Sequence, residues 1–131
     1  MKTINKKIVM VIEKTDTGFS AYSVDYPIYT TGKNMADLIR NANEAANLYY
    51  EDQEIILRHD NLKFELDFKQ FFQYYNVLNS KLLAHRIGMN PTLLSQYVTG
   101  HKKPSETQTE RILKGIHQIG QELAEINLIY R

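Results

Sequence analysis

The chain has no cysteine. That excludes disulfides and thiolate chemistry, and it fits a reducing cytoplasm, the expected location. No apolar run approaches the roughly 20 residues that a membrane-spanning helix needs, so no membrane partner is expected. Met1-Lys2-Thr3-Ile4-Asn5 leads straight into a strand pattern, and no signal peptide is expected. No stretch rich in Pro, Gly and Ser divides the chain. His59, His85, His101 and His117 are scattered, without i, i+4 pairing and without a Cys partner, so no zinc site is expected. What remains is ordinary globular material: 131 residues, 43% apolar and 24% charged, room for one domain or two small ones. The net charge is only +1, but it is unevenly placed. Residues 1–66 carry 8 Lys and Arg against 10 Asp and Glu, net −2, whereas residues 67–131 carry 8 against 5, net +3. This asymmetry suggests that only the second half meets phosphates.

The first half reads as strand, strand, strand, helix, strand. Lys6 to Lys14 is a β-branched run with charged ends, a strand expected to be buried on both faces. Thr15-Asp16-Thr17-Gly18 is turn chemistry, and the alternation from Phe19 to Tyr26 is the returning strand of a hairpin. Pro27 breaks it, and Ile28 to Thr31 is a third short strand stopped by Gly32. Asn34 is placed to cap a helix, with Asp37 in its first turn where a negative charge suits the helix dipole. Met35, Ile39, Ala42, Ala46 and Tyr49 form its apolar stripe, with Leu38 and Ala45 beside it. The helix is expected to lie across the sheet and to run as far as about Arg58, within about 2–4 residues. Leu62-Lys63-Phe64-Glu65-Leu66 alternates strictly and reads as a strand with one buried face.

Composition then changes. Phe68, Phe71, Phe72 and Tyr75 mark an aromatic helix face, which places a boundary near Leu66-Asp67. Asn79-Ser80 caps the next helix, where Leu83, Ala84 and Ile87 share one face. Gly88 follows at once, the usual place for a left-handed helix end. Asn90 caps a further helix, and Pro91 occupies its first position, which needs no N–H. Leu94, Tyr97 and Val98 are its inner face; Thr92, Leu93, Ser95, Gln96 and Thr99 point outward. Gly100 ends it, and the basic run His101-Lys102-Lys103 precedes Pro104. Two short helices about a tight turn, with this outer face, have the chemistry of a major-groove reader. The candidate DNA-binding residues are Ser80, Lys81, Asn90, Thr92, Leu93, Ser95, Gln96, Thr99, His101, Lys102 and Lys103. From Ser105-Glu106 a last helix runs on, with Ile112, Ile116, Ile119, Leu123, Ile126 and Tyr130 in a heptad-like seam. That seam is too short for a coiled coil; it closes the core, pairs with a second copy, or does both. Gly115 and Gly120 weaken this helix and permit a bend.

The run Leu83-Ala84 through Ile87-Gly88-Met89-Asn90-Pro91-Thr92-Leu93-Leu94-Ser95-Gln96-Tyr97 to Lys102-Lys103-Pro104-Ser105 resembles the Cro/lambda-repressor type of helix-turn-helix over residues 79 to 105. It departs where that family often has Gln and this chain has Pro91, which offers no donor. Residues 4–66 look like the HicB antitoxin fold, a degenerate ribonuclease-H-like layer. The matching features are the Ile8–Ile12 strand, Gly18-Phe19-Ser20-Ala21-Tyr22, Thr31-Gly32 and the helix around Ala45. The resemblance implies an α+β protein: a small β-β-β-α-β layer over residues 1–66, then an all-α helix-turn-helix domain over residues 67–131. It further implies a first half that binds and blocks a HicA-like toxin that cleaves messenger RNA. The second half would bind double-stranded operator DNA and repress its own operon. The apolar seam of the last helix, and the gain when a two-fold axis pairs two groove-reading helices, favour a homodimer or higher homo-oligomer.

Two other classes stay open. A ribonuclease-H-like layer invites a search for carboxylates converging on Mg²⁺, with Asp25, Asp37, Glu44 and Glu51 as candidates. Glu44 and Glu51 are seven apart on the solvent face of their helix, so a solvated face is the better reading; no catalytic residue, metal or cofactor is expected. The other class is a stand-alone repressor whose first half senses a ligand or oligomerises. A deep apolar pocket would favour it, and a flat strand edge would favour a protein partner.

Overall fold

Alternating side chains set the first strand. In the computed structural model, which describes residues 2–128, β1 (Ile8–Thr15) buries Ile8, Met10 and Ile12. Val9, Val11 and Glu13 between them are half-buried. The expectation of two buried faces is thus corrected: the strand alternates. β2 (Gly18–Ser23) returns antiparallel, with Thr15 opposite Gly18 and Met10 opposite Ser23. β3 (Tyr29–Gly32) pairs antiparallel with β2. β4 (Leu62–Leu66) pairs parallel with β1, Ile8 opposite Leu62 and Ile12 opposite Leu66. The order is β3-β2-β1-β4. A parallel neighbour requires a crossover, and the chain makes it through α1 (Met35–Tyr49).

Asn34 caps α1 by accepting from the Asp37 amide at 2.9 Å. Leu38, Ala42 and Ala46 join Ile8, Met10, Ile12, Ala21 and Ile28 in one buried cluster. The small residues let the helix sit close. A Cβ on Gly32 would lie 2.4 Å from the Leu38 nitrogen, so only glycine fits the strand end beside this helix. The stripe inferred from spacing is buried only in its middle: Met35, Ile39 and Tyr49 are 39%, 40% and 37% exposed. Nor does the helix reach Arg58. Tyr50 turns inward to a buried position against the rings of Tyr26 and Tyr49, at 6.3 and 4.9 Å. A 3-10 turn at Glu51–Gln53 and a left-handed Glu54 (φ 55°) then reverse the chain. Buried Asn61 organises the entry to β4. Its amide donates to the carbonyls of Ile4 and Lys6, both at 2.8 Å, and its oxygen accepts from the Arg58 amide at 2.7 Å.

α2 (Phe68–Tyr74) buries Phe68 and Phe72. Gln70 ties it to β1 like an extra strand residue, accepting from the Lys14 N–H at 2.8 Å and donating to the Lys14 carbonyl at 2.7 Å. The chain accordingly divides into the units Met1–Tyr74 and Tyr75–Arg131, one helix later than the composition change at Leu66-Asp67.

The second unit contains α3 (Ser80–Ile87), α4 (Pro91–Val98) and α5 (Glu106–Ala124). Its buried side chains are Leu83, Ala84, Met89, Leu94, Tyr97 and Ile112. Ser105 caps α5 by accepting from the Gln108 amide at 3.2 Å. The expected seam on α5 is buried at Ile112, half-buried at Ile116 and Ile119, and exposed at Leu123 (63%) and Ile126 (71%). Tyr130 lies outside the described residues. The protein is thus mixed α+β, a four-stranded mixed sheet with five α-helices among the described residues. None of these helices is long and apolar enough to cross a membrane.

Candidate nucleic-acid interface

Each end of α3 and α4 is set by a local residue. Asn79 accepts from the Leu82 amide at 3.0 Å and starts α3. Gly88 ends it in the left-handed region (φ 69°), with its own N–H returning to the His85 carbonyl. The next amide, Met89, reaches the Ala84 carbonyl at 2.9 Å, and the Met89 side chain is buried. Asn90 then caps α4 twice, accepting from Thr92 N at 2.8 Å and Leu93 N at 3.3 Å. Pro91 takes the first helical position. α4 closes on Thr99, and Gly100 (φ 81°) turns the chain away.

Leu94 and Tyr97 of α4 are buried and Val98 half-buried, as the spacing predicts. On the other side Thr92, Ser95 and Thr99 are exposed, but Leu93 and Gln96 are half-buried. The outward face is therefore narrower than the five residues suggested, and it is centred on Thr92, Ser95 and Thr99. The Thr99 hydroxyl donates to the Ser95 carbonyl at 2.8 Å and lies 2.7 Å from His101 Nδ1. That arrangement draws His101 back onto the end of α4. Lys102 is held through its backbone, its N–H donating to the Gln96 carbonyl at 3.1 Å, and its side chain is exposed. Lys103 is also exposed. At the start of α3, Ser80 is half-buried and Lys81 exposed. Asn90 has its side-chain oxygen engaged by the cap, which leaves only its amide nitrogen for another partner.

Two residues that sequence reasoning missed hold this region in shape. Arg111 of α5 reaches the turn after α3: one guanidinium nitrogen donates to the Ile87 carbonyl at 3.0 Å and the Gly88 carbonyl at 3.1 Å, the other to Gln108 at 3.1 Å. Nothing near Arg111 in the sequence signals this, because its partners are 23 and 24 residues away. Gly115 is the second. A Cβ there would lie 2.3 Å from Ile87 Cγ2, so α5 approaches α3 at a point where only glycine fits. The signal existed: a glycine inside a helical pattern usually has a packing reason. An ion pair between Arg86 and Glu122 adds a further α3–α5 tie.

The other candidates do not assemble. Among the described residues no group of three or more His, Asp or Glu side chains could hold a metal ion, so Asp25, Asp37, Glu44 and Glu51 do not converge. The exposed polar groups of α4, with flanking ammonium groups, suit hydrogen bonding and charge contact. No protein-family model matches the chain, and no curated protein matches it.

Proposed function

We propose that this is a DNA-binding antitoxin rather than an enzyme. In this reading α3 and α4 form a helix-turn-helix of the Cro/lambda-repressor type, and the second unit binds double-stranded operator DNA in the cytoplasm as a homodimer or higher homo-oligomer. The first unit, a HicB-like β-β-β-α-β layer, binds and blocks a HicA-like toxin, and the operator contact represses the operon that encodes both. The observation that carries the DNA half is the doubly capped α4. It follows a left-handed Gly88 and presents Thr92, Ser95 and Thr99 to solvent, with Lys102 and Lys103 beyond its end. Capped, short and polar on one side, such a helix fits a major groove, and lysines in the following loop fit phosphates. The toxin half rests on the resemblance of residues 4–66 and on the acidic balance of the first half. Acidic side chains would steer a basic, RNA-binding partner.

The test is a titration of the full chain on the duplex upstream of its own reading frame and on a shuffled duplex. Thr92 and Ser95, exposed on the outward side of α4, can hydrogen-bond base edges, and losing such a contact discriminates by about 1–3 kcal/mol. Thr92→Ala with Ser95→Ala should therefore lose preference between the duplexes, about tenfold, more than it loses affinity for the shuffled one. Replacing Lys102 and Lys103 by Gln should weaken both duplexes alike and reduce the salt slope by about 0.9 per lost contact. Equal affinity of the unaltered chain for the two duplexes would overturn the operator reading.

A further inference from the structure

The outer side of α1 and the segment after it enclose an open groove of about 750 Å³. Its apolar lining comes from Ile39, Leu48, Ile55 and Ile56, of which Leu48 is 70% and Ile56 46% exposed. These aliphatics line one groove together and are not scattered singly over the surface. The polar groups argue against a small ligand. Asn43 donates its amide to the Ile39 carbonyl and Asn47 to the Asn43 carbonyl, both at 2.9 Å. The Asn47 oxygen accepts from the Leu57 amide at 2.8 Å. A small-molecule site buries most of its ligand among convergent polar groups, whereas this groove is open and its amides are already engaged.

The charges choose the occupant. Arg40, which lines the groove, is paired with Asp37 at 2.8 Å. Glu44 and Glu51 line the groove, exposed and without an ion pair among the described residues. Asp52 and Glu54, next in sequence to the lining residues Glu51 and Ile55, are exposed as well. An apolar floor with uncompensated acid at the rim complements apolar anchors flanked by Lys or Arg. We infer that this groove is a docking surface for an amphipathic, basic helix of a partner protein. The inference rests on the first unit being a protein-binding unit and names where on it the partner sits.

The experiment uses the full chain with isotope-labelled Ile and Leu methyls. Two synthetic amphipathic helices as long as α1 are titrated in, one of Leu and Lys, the other of Leu and Glu. The Leu/Lys peptide should shift the methyls of Ile39, Leu48 and Ile56 and leave those of Leu94 and Ile112 in place. Leu48→Ser with Ile56→Ser should weaken it about tenfold at every salt concentration. Both positions are exposed, so melting should not change. Glu44→Gln with Glu51→Gln should flatten the salt dependence, because rim charges act mainly on the encounter. Equal binding of the Leu/Glu peptide, or shifts that miss these three methyls, would overturn the inference. So would a concentration-dependent self-association that Leu48→Ser removes, since a second copy would then be the occupant. The two readings fail separately. If the groove binds the peptide but the chain does not rescue cells from the basic product of the neighbouring reading frame, the antitoxin reading falls. If Leu48→Ser with Ile56→Ser rescues as well as the unaltered chain, the groove falls.

Discussion

Gly115 and Gly120 lie in the same helix, and substitution by alanine should act on them with opposite sign. At Gly115 the added Cβ meets Ile87 Cγ2 at 2.3 Å, and that methyl belongs to a β-branched side chain with little freedom to move. Gly115→Ala should destabilise the second unit by about 1–3 kcal/mol, the usual cost of overpacking, despite alanine's better helix propensity. At Gly120 nothing lies within 4 Å, so Gly120→Ala should stabilise by roughly 0.5–1 kcal/mol. Urea unfolding of the two variants checks both signs; a stabilising Gly115→Ala would mean that α3 and α5 do not approach so closely. Tyr50 offers a pH test. Burial, and then the neighbouring Tyr49, raise its hydroxyl above the ordinary value of 10.0. The unfolded chain therefore loses this proton first as pH rises, so the contribution is intact below about pH 10 and is lost above it. Tyr50→Phe should flatten the fall in stability on the alkaline side, and an unchanged pH profile would remove Tyr50 from the account.

Among the elements, α4 depends on a residue outside it. Arg111 bridges the Ile87 and Gly88 carbonyls, so it closes the turn that sets the direction in which α4 leaves α3. Under the proposed function, Arg111→Met should weaken operator binding about tenfold, on the order of what one charge-assisted hydrogen bond supplies. Arg111→Lys should restore only part, because a single ammonium lacks the planar fork. The salt slope separates this from a phosphate contact: a positioning role leaves the slope unchanged, whereas a lost phosphate contact reduces it by about 0.9. The ends of α3 and α4 were legible in sequence because caps are local: Asn79, Gly88, Asn90 and Pro91 each act within four residues. Arg111 was not legible, because its partners come from a different helix. The end of α1 departs from the sequence pattern for a related reason. Its apolar period continues past Tyr49, but Tyr50 finds a better place against Tyr26 than in another helical turn.

For the whole molecule, the testable matter is where it can be cut. α2 packs with the sheet through Phe68, Phe72 and the Gln70–Lys14 pair, so a fragment ending at residue 66 loses part of its own unit. Residues 1–74 should fold cooperatively on their own, and residues 1–66 should be far less stable or unfolded, since a domain that small has little surplus burial to lose. Thermal melts followed by circular dichroism distinguish them; two fragments of equal stability would return the boundary to Leu66-Asp67. Under the proposed function the 1–74 fragment rescues cells from the toxin without shifting operator DNA, and a fragment from residue 75 onward does the reverse.

Strand positions, the hairpin turn, four helix caps and the polar outward side of α4 were all readable from the chain. Each follows from alternation, from a cap residue or from a glycine acting on its own neighbours. The parallel placement of β4 beside β1, the attachment of α2 to the sheet and the inward turn of Tyr50 were not readable. They are choices among distant partners: β4 could pair at either edge with the same pattern, and Gln70 finds Lys14 across 56 residues. The half-burial of Leu93 and Gln96 and the exposure of Leu48 and Ile56 belong with these. Periodicity ranks the faces of a helix, but how much of each face is covered depends on what the rest of the chain has left to lay over it.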